Sequence, residues 1–358
     1  MRRIAVLPGD GVGPEVIEGP VALLERLAAS GVVELSGPWP VGASSFGAEG
    51  EGLPAKTLAA CDEADAILFG AAGEHPGVPL EDYRPEHSLL TLREHYDLRI
   101  SIRQVLARGS RPITVVRNLL GGAYGSASTR KESDGTQPAA DEMILTPGQI
   151  EELAEIACDL VEHDDQARLL SVDKANLFAT SRLWRRVVSE VAARRGVPVR
   201  HLYVDRCAYE IAHDEIAGDV ILTEGIFGDI LSDLAAGRAG SIALCGSAGV
   251  HPGPPVRGRC VGLFEPVHGS APRHAGRRRV NPAGTYLATA ALLEWFPDTA
   301  AYGRVVRHAL DDVLLSGPLT YDLAPKGGPV ASTDEFAAAV TARFDVHLAA
   351  GPDPEEHS

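Results

Sequence analysis

Short, strongly apolar segments alternate with longer amphipathic ones along most of this chain, and that alternation confines it to an α/β fold built on a sheet. Residues 3–7, 66–69, 113–117, 169–172, 199–204, 220–222 and 262–264 read as strands, and 15–29, 177–195, 282–296 and 300–315 as helices. With 358 residues, 45% of them hydrophobic, the chain can bury a large core and is expected to form two domains. It has no internal repeat. Residues 121–147 are polar, irregular and too long for an ordinary connection, so a functional loop or an arm to a partner is expected there. The tail, 351–358, is expected to fray.

A net charge of −16 argues against nucleic acid or an anionic membrane as partner, and leaves an anionic small substrate possible only where arginines gather. Cys61, Cys158, Cys207, Cys245 and Cys260 are scattered, odd in number and without a CxxC pair. This pattern suits a reduced, cytoplasmic protein with no structural zinc. The N-terminal apolar run is too short for a signal peptide, and no run approaches the roughly 20 residues of a membrane span.

Asp229 and Asp233 lie four apart in the run FGDILSDL (227–234), for which one helix with Gly237 as its stop signal is expected. That spacing puts both carboxylates on one face. Asp229 is expected in the first turn, favoured by the helix dipole; Asp233 gains little from the dipole and is repelled by Asp229. Mg²⁺ or Mn²⁺ would relieve that repulsion, and a solvated acidic face is the other reading of the spacing. Asp205, at the end of the 199–204 strand, could complete a three-carboxylate site.

The run LPGDGVGPE (7–15) follows a strand and precedes a helix, as a dinucleotide-binding loop does. Pro14 stands in place of the third glycine and no strand-end acid follows about 20 residues on, so a Rossmann assignment is disfavoured. Arg93, Arg103, Arg117 and Tyr124 stand out as basic or phenolic positions. Converging guanidinium forks suit a di- or tricarboxylate, although each arginine taken singly is more often a surface residue. Lys174 directly follows an apolar strand, where desolvation would tune it toward a general base; a plain loop lysine is the alternative. The loop 264–276, with His268, His274 and Arg273, could wrap a phosphate-bearing ligand or be a solvated basic loop.

Together these segments resemble the β-decarboxylating dehydrogenases, the family of isopropylmalate, isocitrate, homoisocitrate, tartrate and D-malate dehydrogenases. Matching runs cover essentially the whole chain in family order, and GDILSDLA (228–235) and FEPVHGSAP (264–272) are the most specific. The resemblance implies an isopropylmalate dehydrogenase-like fold, two α/β domains around a shared large mixed sheet and not Rossmann. Residues 1–98 with 250–358 would form the cofactor-side domain; residues 99–249 would hold the dimer interface, the metal site and an arm at 121–147. It further implies a homodimer whose Lys174 and Asp205 reach into the partner's cleft. Mg²⁺ or Mn²⁺ would be held by Asp229, Asp233 and the partner's Asp205.

Arg93, Arg103 and Arg117 would clamp the malate carboxylates, with Leu89, Leu90 and Ser88 near the C3 substituent. Tyr124 and Lys174 would be the acid–base pair. Glu86, Asn176, Glu265, His268, Gly269, Ser270, Ala271 and Asn281 fall on cofactor-binding positions. The implied reaction passes a hydride from C2 to a nicotinamide while the metal polarises the 2-hydroxyl; CO₂ then leaves and Tyr124 protonates the enolate.

NAD-dependent members carry Asp and an aliphatic residue after Gly-Ser-Ala-Pro. This chain has Arg273-His274 there, where NADP-dependent bacterial isocitrate dehydrogenases have Lys-Tyr, and Tyr321-Asp322 matches their Tyr-Asp pair. A cation favours a 2′-phosphate and an acid repels it, so NADP contacted by Arg273, His274 and Tyr321 is expected, with NAD the alternative. Residues 84–93 resemble the isopropylmalate type, but Ser88 and His87 depart from it and would make the pocket more polar. A 3-alkyl- or 3-arylmalate is implied, isopropylmalate being the nearest named candidate. The rivals are a tartrate- or D-malate-type enzyme and a catalytically silent regulatory homologue. Gln104 replaces a proline, Asn118 a glutamate and Gly225 an asparagine; clustered at the implied site, these changes suit a specialised pathway.

Overall fold

The computed structural model describes residues 1–75, 77–79, 83–84, 86–107, 109–124, 141–164 and 166–351. They form two compact units, Met1–Tyr96 with Gly240–Ser358, and Asp97–Ala239. The chain enters the first unit through β1 (Arg2–Gly9), α1 (Gly13–Ala29), β2 (Val33–Ser36), α2 (Ala43–Glu49), α3 (Ala55–Asp62), β3 (Ala66–Ala71) and α4 (Glu86–His95). The second unit is β4 (Ile100–Ala107), β5 (Ser110–Asn118), α5 (Pro147–Glu162), β6 (Leu169–Asp173), α6 (Ala179–Arg195), β7 (Val199–Tyr203), α7 (Val204–Ala212), β8 (Val220–Thr223) and α8 (Gly225–Ala239). The chain then returns to the first unit with β9 (Cys245–Val250), β10 (Gly262–Pro266), α9 (Ala283–Glu294), α10 (Ala300–Ser316) and α11 (Thr333–Ala350).

In the first unit the strands run β2-β1-β3-β10-β9, all parallel except β9, which is antiparallel to β10. That pairing draws β9 into the first unit, so the return comes at Gly240 and not at the residue-250 boundary expected from the sequence. In the second unit they run β4-β5-β8-β6-β7, with β4 antiparallel to β5 and the rest parallel. β3 and β6 are buried along their whole length, and a strand covered on both faces loses polar alternation, hence the apolar run of β3 and the predominantly apolar start of β6, whose Ser171 and Asp173 are buried as well. α6 buries Trp184, Val187, Val188 and Val191 at helical spacing and ends at Gly196 in the left-handed region.

The helix carrying the paired aspartates differs from the sequence expectation at both ends. α8 starts at Gly225, runs through Gly237 and stops before Gly240, whose φ is +106°. Asp229 therefore lies in the second turn, not the first. The acid at the helix N-terminus is Glu224, whose carboxylate accepts from the backbone N–H groups of Phe227 (2.9 Å) and Ile226 (3.2 Å). Asp205 is likewise not at a strand end but in the first turn of α7. Residues 125–140, most of the expected arm, and the tail 352–358 lie outside the described residues. All five cysteines are free and buried. Among the described residues no helix is long and apolar enough to cross a membrane.

Glu224 is buried, and burial raises its carboxyl above the ordinary range despite the two N–H donors and Arg117 nearby. A raised folded-state pKa gives stability that is fully present below the unfolded pKa and is lost as pH rises through the folded value. Replacing Glu224→Gln removes that loss while keeping an acceptor for the helix terminus. Its thermal midpoint relative to wild type is expected to climb as pH rises above the ordinary glutamate value of about 4.3; a difference that does not change with pH would refute the account.

Candidate active site

In the second unit, β4 and β5 place Arg103 opposite Val115, two residues from Arg117, so both arginines rise from one face of the antiparallel pair. Arg117 is 4% exposed. Its Nη2 lies 2.8 Å from Asp229 Oδ1, and its Nη1 donates to the Gly225 carbonyl at 3.0 Å and meets the Tyr124 hydroxyl at 3.5 Å. Arg103 Nη1 lies 3.1 Å from the same Asp229 oxygen, donates to Ser232 Oγ at 2.8 Å and reaches Asp233 Oδ1 at 3.4 Å. Burial, then the charge of Arg103, pushes Arg117 down; partial desolvation by its neighbours pushes Asp233 up against the pull of Arg103, although its side chain stays open to water. The Nε atoms of both arginines are buried without a partner. Two guanidinium groups are thus brought together with two acids and a phenol.

Lys174 follows β6 as expected, but its ammonium is not isolated: it forms an ion pair with Asp205 of the same chain, which lowers the Asp205 carboxyl. The turn presenting it is fixed by Asp173, a residue that the sequence reading missed. This buried carboxylate holds Arg185 through two hydrogen bonds (2.8 and 2.9 Å) and accepts from the Ala175 N–H at 2.8 Å. Asn176 is exposed in the same turn. Among the described residues no three His, Cys, Asp or Glu side chains gather as a metal cage, so Asp205 does not join Asp229 and Asp233 within one chain. Those two, on successive turns and with side chains 45% and 60% exposed, fit a hard divalent cation as a pair of oxygen ligands.

In the first unit, α4 places Leu89, Leu90 and Arg93 on one side, and Arg93 Nη2 pairs with Glu265 Oε1 at 2.8 Å. Glu86 is exposed in the first turn. The expected polar contribution of Ser88 and His87 is not found. Ser88 is 1% exposed; it donates to the Gly52 carbonyl at 2.6 Å and contacts the Tyr83 hydroxyl, so it anchors the helix. His87 lies on another side of α4, edge-on to the Tyr83 ring.

The LPGDGVGPE run holds the 269–276 loop. Gly11, with φ +58°, lets the Ser270 carbonyl come so close that a β-carbon would sit 2.1 Å from it, and the Val12 N–H donates to that carbonyl at 2.8 Å. Glu15 accepts from the backbone N–H groups of Gly276 and Arg278, and Ala271, at φ +40°, closes a turn with His274. His268 Nε2 is buried without a partner, and Gly269 is exposed. Asn281 Nδ2 donates to Asp322 at 3.0 Å, and Asp322 also accepts from Ser241 and Thr320.

His274 stacks on Tyr321 with ring centres 5.7 Å apart and planes within 9°, and the Arg279 guanidinium lies 4.3 Å from the Tyr321 ring centre. Arg278 is tied to Glu18 and Asp334. Arg273, Arg277 and Arg279 have no carboxylate partner among the described residues. A guanidinium on a half-exposed aromatic ring, in a loop with two further unpaired arginines, fits an anionic, aromatic ligand. Arg277 and Arg279 were missed in the sequence; their only signal was the run of three arginines at 277–279.

Residues 3–340 match the family model described as isocitrate/isopropylmalate dehydrogenase. A 3-isopropylmalate dehydrogenase of Salinibacter ruber is 40% identical over 361 residues, covering 95% of this chain and 94% of its own. One from Geobacillus kaustophilus is 36% identical over 355 residues, 93% of each chain. A β-decarboxylating dehydrogenase structure from Thermococcus kodakarensis superposes with a TM-score of 0.82 at 32% identity over the full length of both. An isocitrate dehydrogenase from Methylococcus capsulatus gives 0.81 at 28% identity, covering 96% of this chain and 99% of that one. With an α/β architecture of two units and its arginines set against paired aspartates, the chain belongs to the isocitrate/isopropylmalate dehydrogenases, decarboxylating dehydrogenases that act on a CH–OH group.

Proposed function

We propose that the chain oxidatively decarboxylates a 3-substituted malate, isopropylmalate or a close analogue, and reduces NADP. The observation that carries this reading is the guanidinium pair of half-buried Arg103 and buried Arg117, held by Asp229 with the Tyr124 hydroxyl beside one of them. Asp229 and Asp233 would hold a divalent cation, which would supply Lewis acidity, and NADP would supply the hydride acceptor. Arg93, Arg103 and Arg117 bind the two carboxylates, and Leu89 with Leu90 receives the C3 substituent. Lys174 takes the proton of the 2-hydroxyl as the C2 hydride leaves. The 3-carboxylate departs as CO₂, its bonding pair passing into an enolate, and Tyr124 returns a proton to C3.

Arg279 against the Tyr321 ring, with the unpaired Arg273 and Arg277 in the same loop, supports a 2′-phosphate as the feature recognised. Exposed Leu177, Phe178, Tyr203, Tyr209 and Ile230, all in the second unit, support a homodimer formed through that unit. Lys174 and Asp205 belong to the same unit and serve the partner's site. Five free, buried cysteines suit a reducing cytoplasmic setting.

Initial rates with Mn²⁺ on 3-isopropylmalate, isocitrate, D-malate and tartrate, each with NADP and NAD, test the reading. Isopropylmalate with NADP is expected to turn over fastest; fastest turnover of unsubstituted malate or tartrate would overturn the alkyl-pocket assignment. Arg273→Asp should weaken NADPH binding, followed by its fluorescence, by about tenfold or more, the effect of losing one charge-assisted phosphate contact. NADH binding should not weaken, and equal losses for both would refute the phosphate site. Lys174→Met and Asp229→Asn chains, each inactive alone, should on co-expression recover about a quarter of wild-type activity, because half the dimers are mixed and carry one intact site. No recovery would refute the sharing of sites.

A further inference from the structure

The ring of Tyr124 rests on the backbone of Gly225. A β-carbon at position 225 would lie 2.6 and 2.7 Å from Cε2 and Cδ2 of that ring, and 2.9 Å from the Asn118 carbonyl oxygen. Gly225 opens α8 and is not among the residues with positive φ, so backbone conformation does not demand glycine there. The missing side chain is what the fold uses. The Gly225 carbonyl also accepts from Arg117 Nη1 at 3.0 Å, the nitrogen that stands 3.5 Å from the Tyr124 hydroxyl. One residue therefore bounds the phenol twice, by its α-carbon under the ring and through the guanidinium beside the hydroxyl. Asn118, 2% exposed, completes the seat: its side-chain N–H donates to the Gly121 carbonyl at 3.0 Å and fixes the turn leading to Tyr124. Gly225 and Asn118 thus meet beneath one ring.

We propose that Gly225 is a positioning residue for Tyr124, setting where the phenol hydroxyl stands relative to Arg117. The inference rests on the reading of Tyr124 as the proton donor. Any side chain at 225 has to displace the ring, since its other near contact is backbone.

Gly225→Ala, Tyr124→Phe and the double variant test this, with kcat, KM and calorimetric substrate affinity measured for each. Gly225→Ala is expected to lower kcat by about a hundredfold, as an ångström-scale misplacement of a catalytic group does. KM and substrate affinity should stay within about threefold, and the double variant should be no slower than Tyr124→Phe alone. Additive losses, or a Gly225→Ala enzyme as fast as wild type while Tyr124→Phe is slow, would overturn the proposal. A Tyr124→Phe enzyme at the wild-type rate would instead overturn the proton-donor role. If Gly225→Ala does not fold, adding Tyr124→Ala should restore a folded protein by removing the ring; failure to do so counts against the proposal.

Discussion

Arg117 is the constraint around which the second unit is arranged. A guanidinium does not shed its charge, and this one sits at the end of β5 almost out of reach of water, so its acceptors have to come from the protein. α8 supplies them: the Gly225 carbonyl, and one turn later the Asp229 carboxylate. Gly228 lies between, where a β-carbon would come within 2.8 Å of the Arg117 β-carbon. Positions 225, 228 and 229 share one face of the helix, so the glycines of GIFGDILSD let α8 approach the buried arginine closely. The position of Asp233, a turn further on, follows from that approach.

The same arrangement sets the electrostatics of the candidate site. Arg103 and Arg117 repel each other, and Asp229 lies within 3.1 Å of both, so the acid screens the pair as much as it pairs with either. In the proposed function a substrate carboxylate competes for the donors that Asp229 now occupies. An Asp229 relieved of two cations needs another positive charge, and Asp233 beside it needs one already, its carboxyl being raised by partial desolvation and by Asp229. Anion and cation are then bound as charge-matched partners, which makes each ligand's affinity depend on the other.

Much of this was legible in the chain. Strands covered on both faces announce themselves as apolar runs, whereas β4, with Arg103 and Gln104 mid-strand, and β9, built of Gly, Ser and Ala, carry weak strand signals. The start of α8 was obscured because Asp229 looks like a helix-start acid, while Glu224, the residue that caps it, reads as the end of β8. Ser88 was misplaced because sequence does not reveal which polar residue of an amphipathic helix faces an internal carbonyl. The run at 277–279 shows three like residues, and only the fold distinguishes Arg278, tied to two acids, from its unpaired neighbours.

Asn118 and Gly225 also make sense against Glu224. The space beside Gly122 brings the Asn118 amide and the Glu224 carboxylate within about one side chain of each other, at 3.2 and 3.9 Å from a common point. Glu224 is already buried, and a second carboxylate at 118 would add like-charge repulsion to its desolvation. An asparagine there avoids that repulsion and still offers the N–H that holds the Gly121 carbonyl. Glycine at 225 then leaves the space above Asn118 to the Tyr124 ring. The neutral amide, the lone buried acid and the absent side chain are one solution to packing a phenol against a buried arginine.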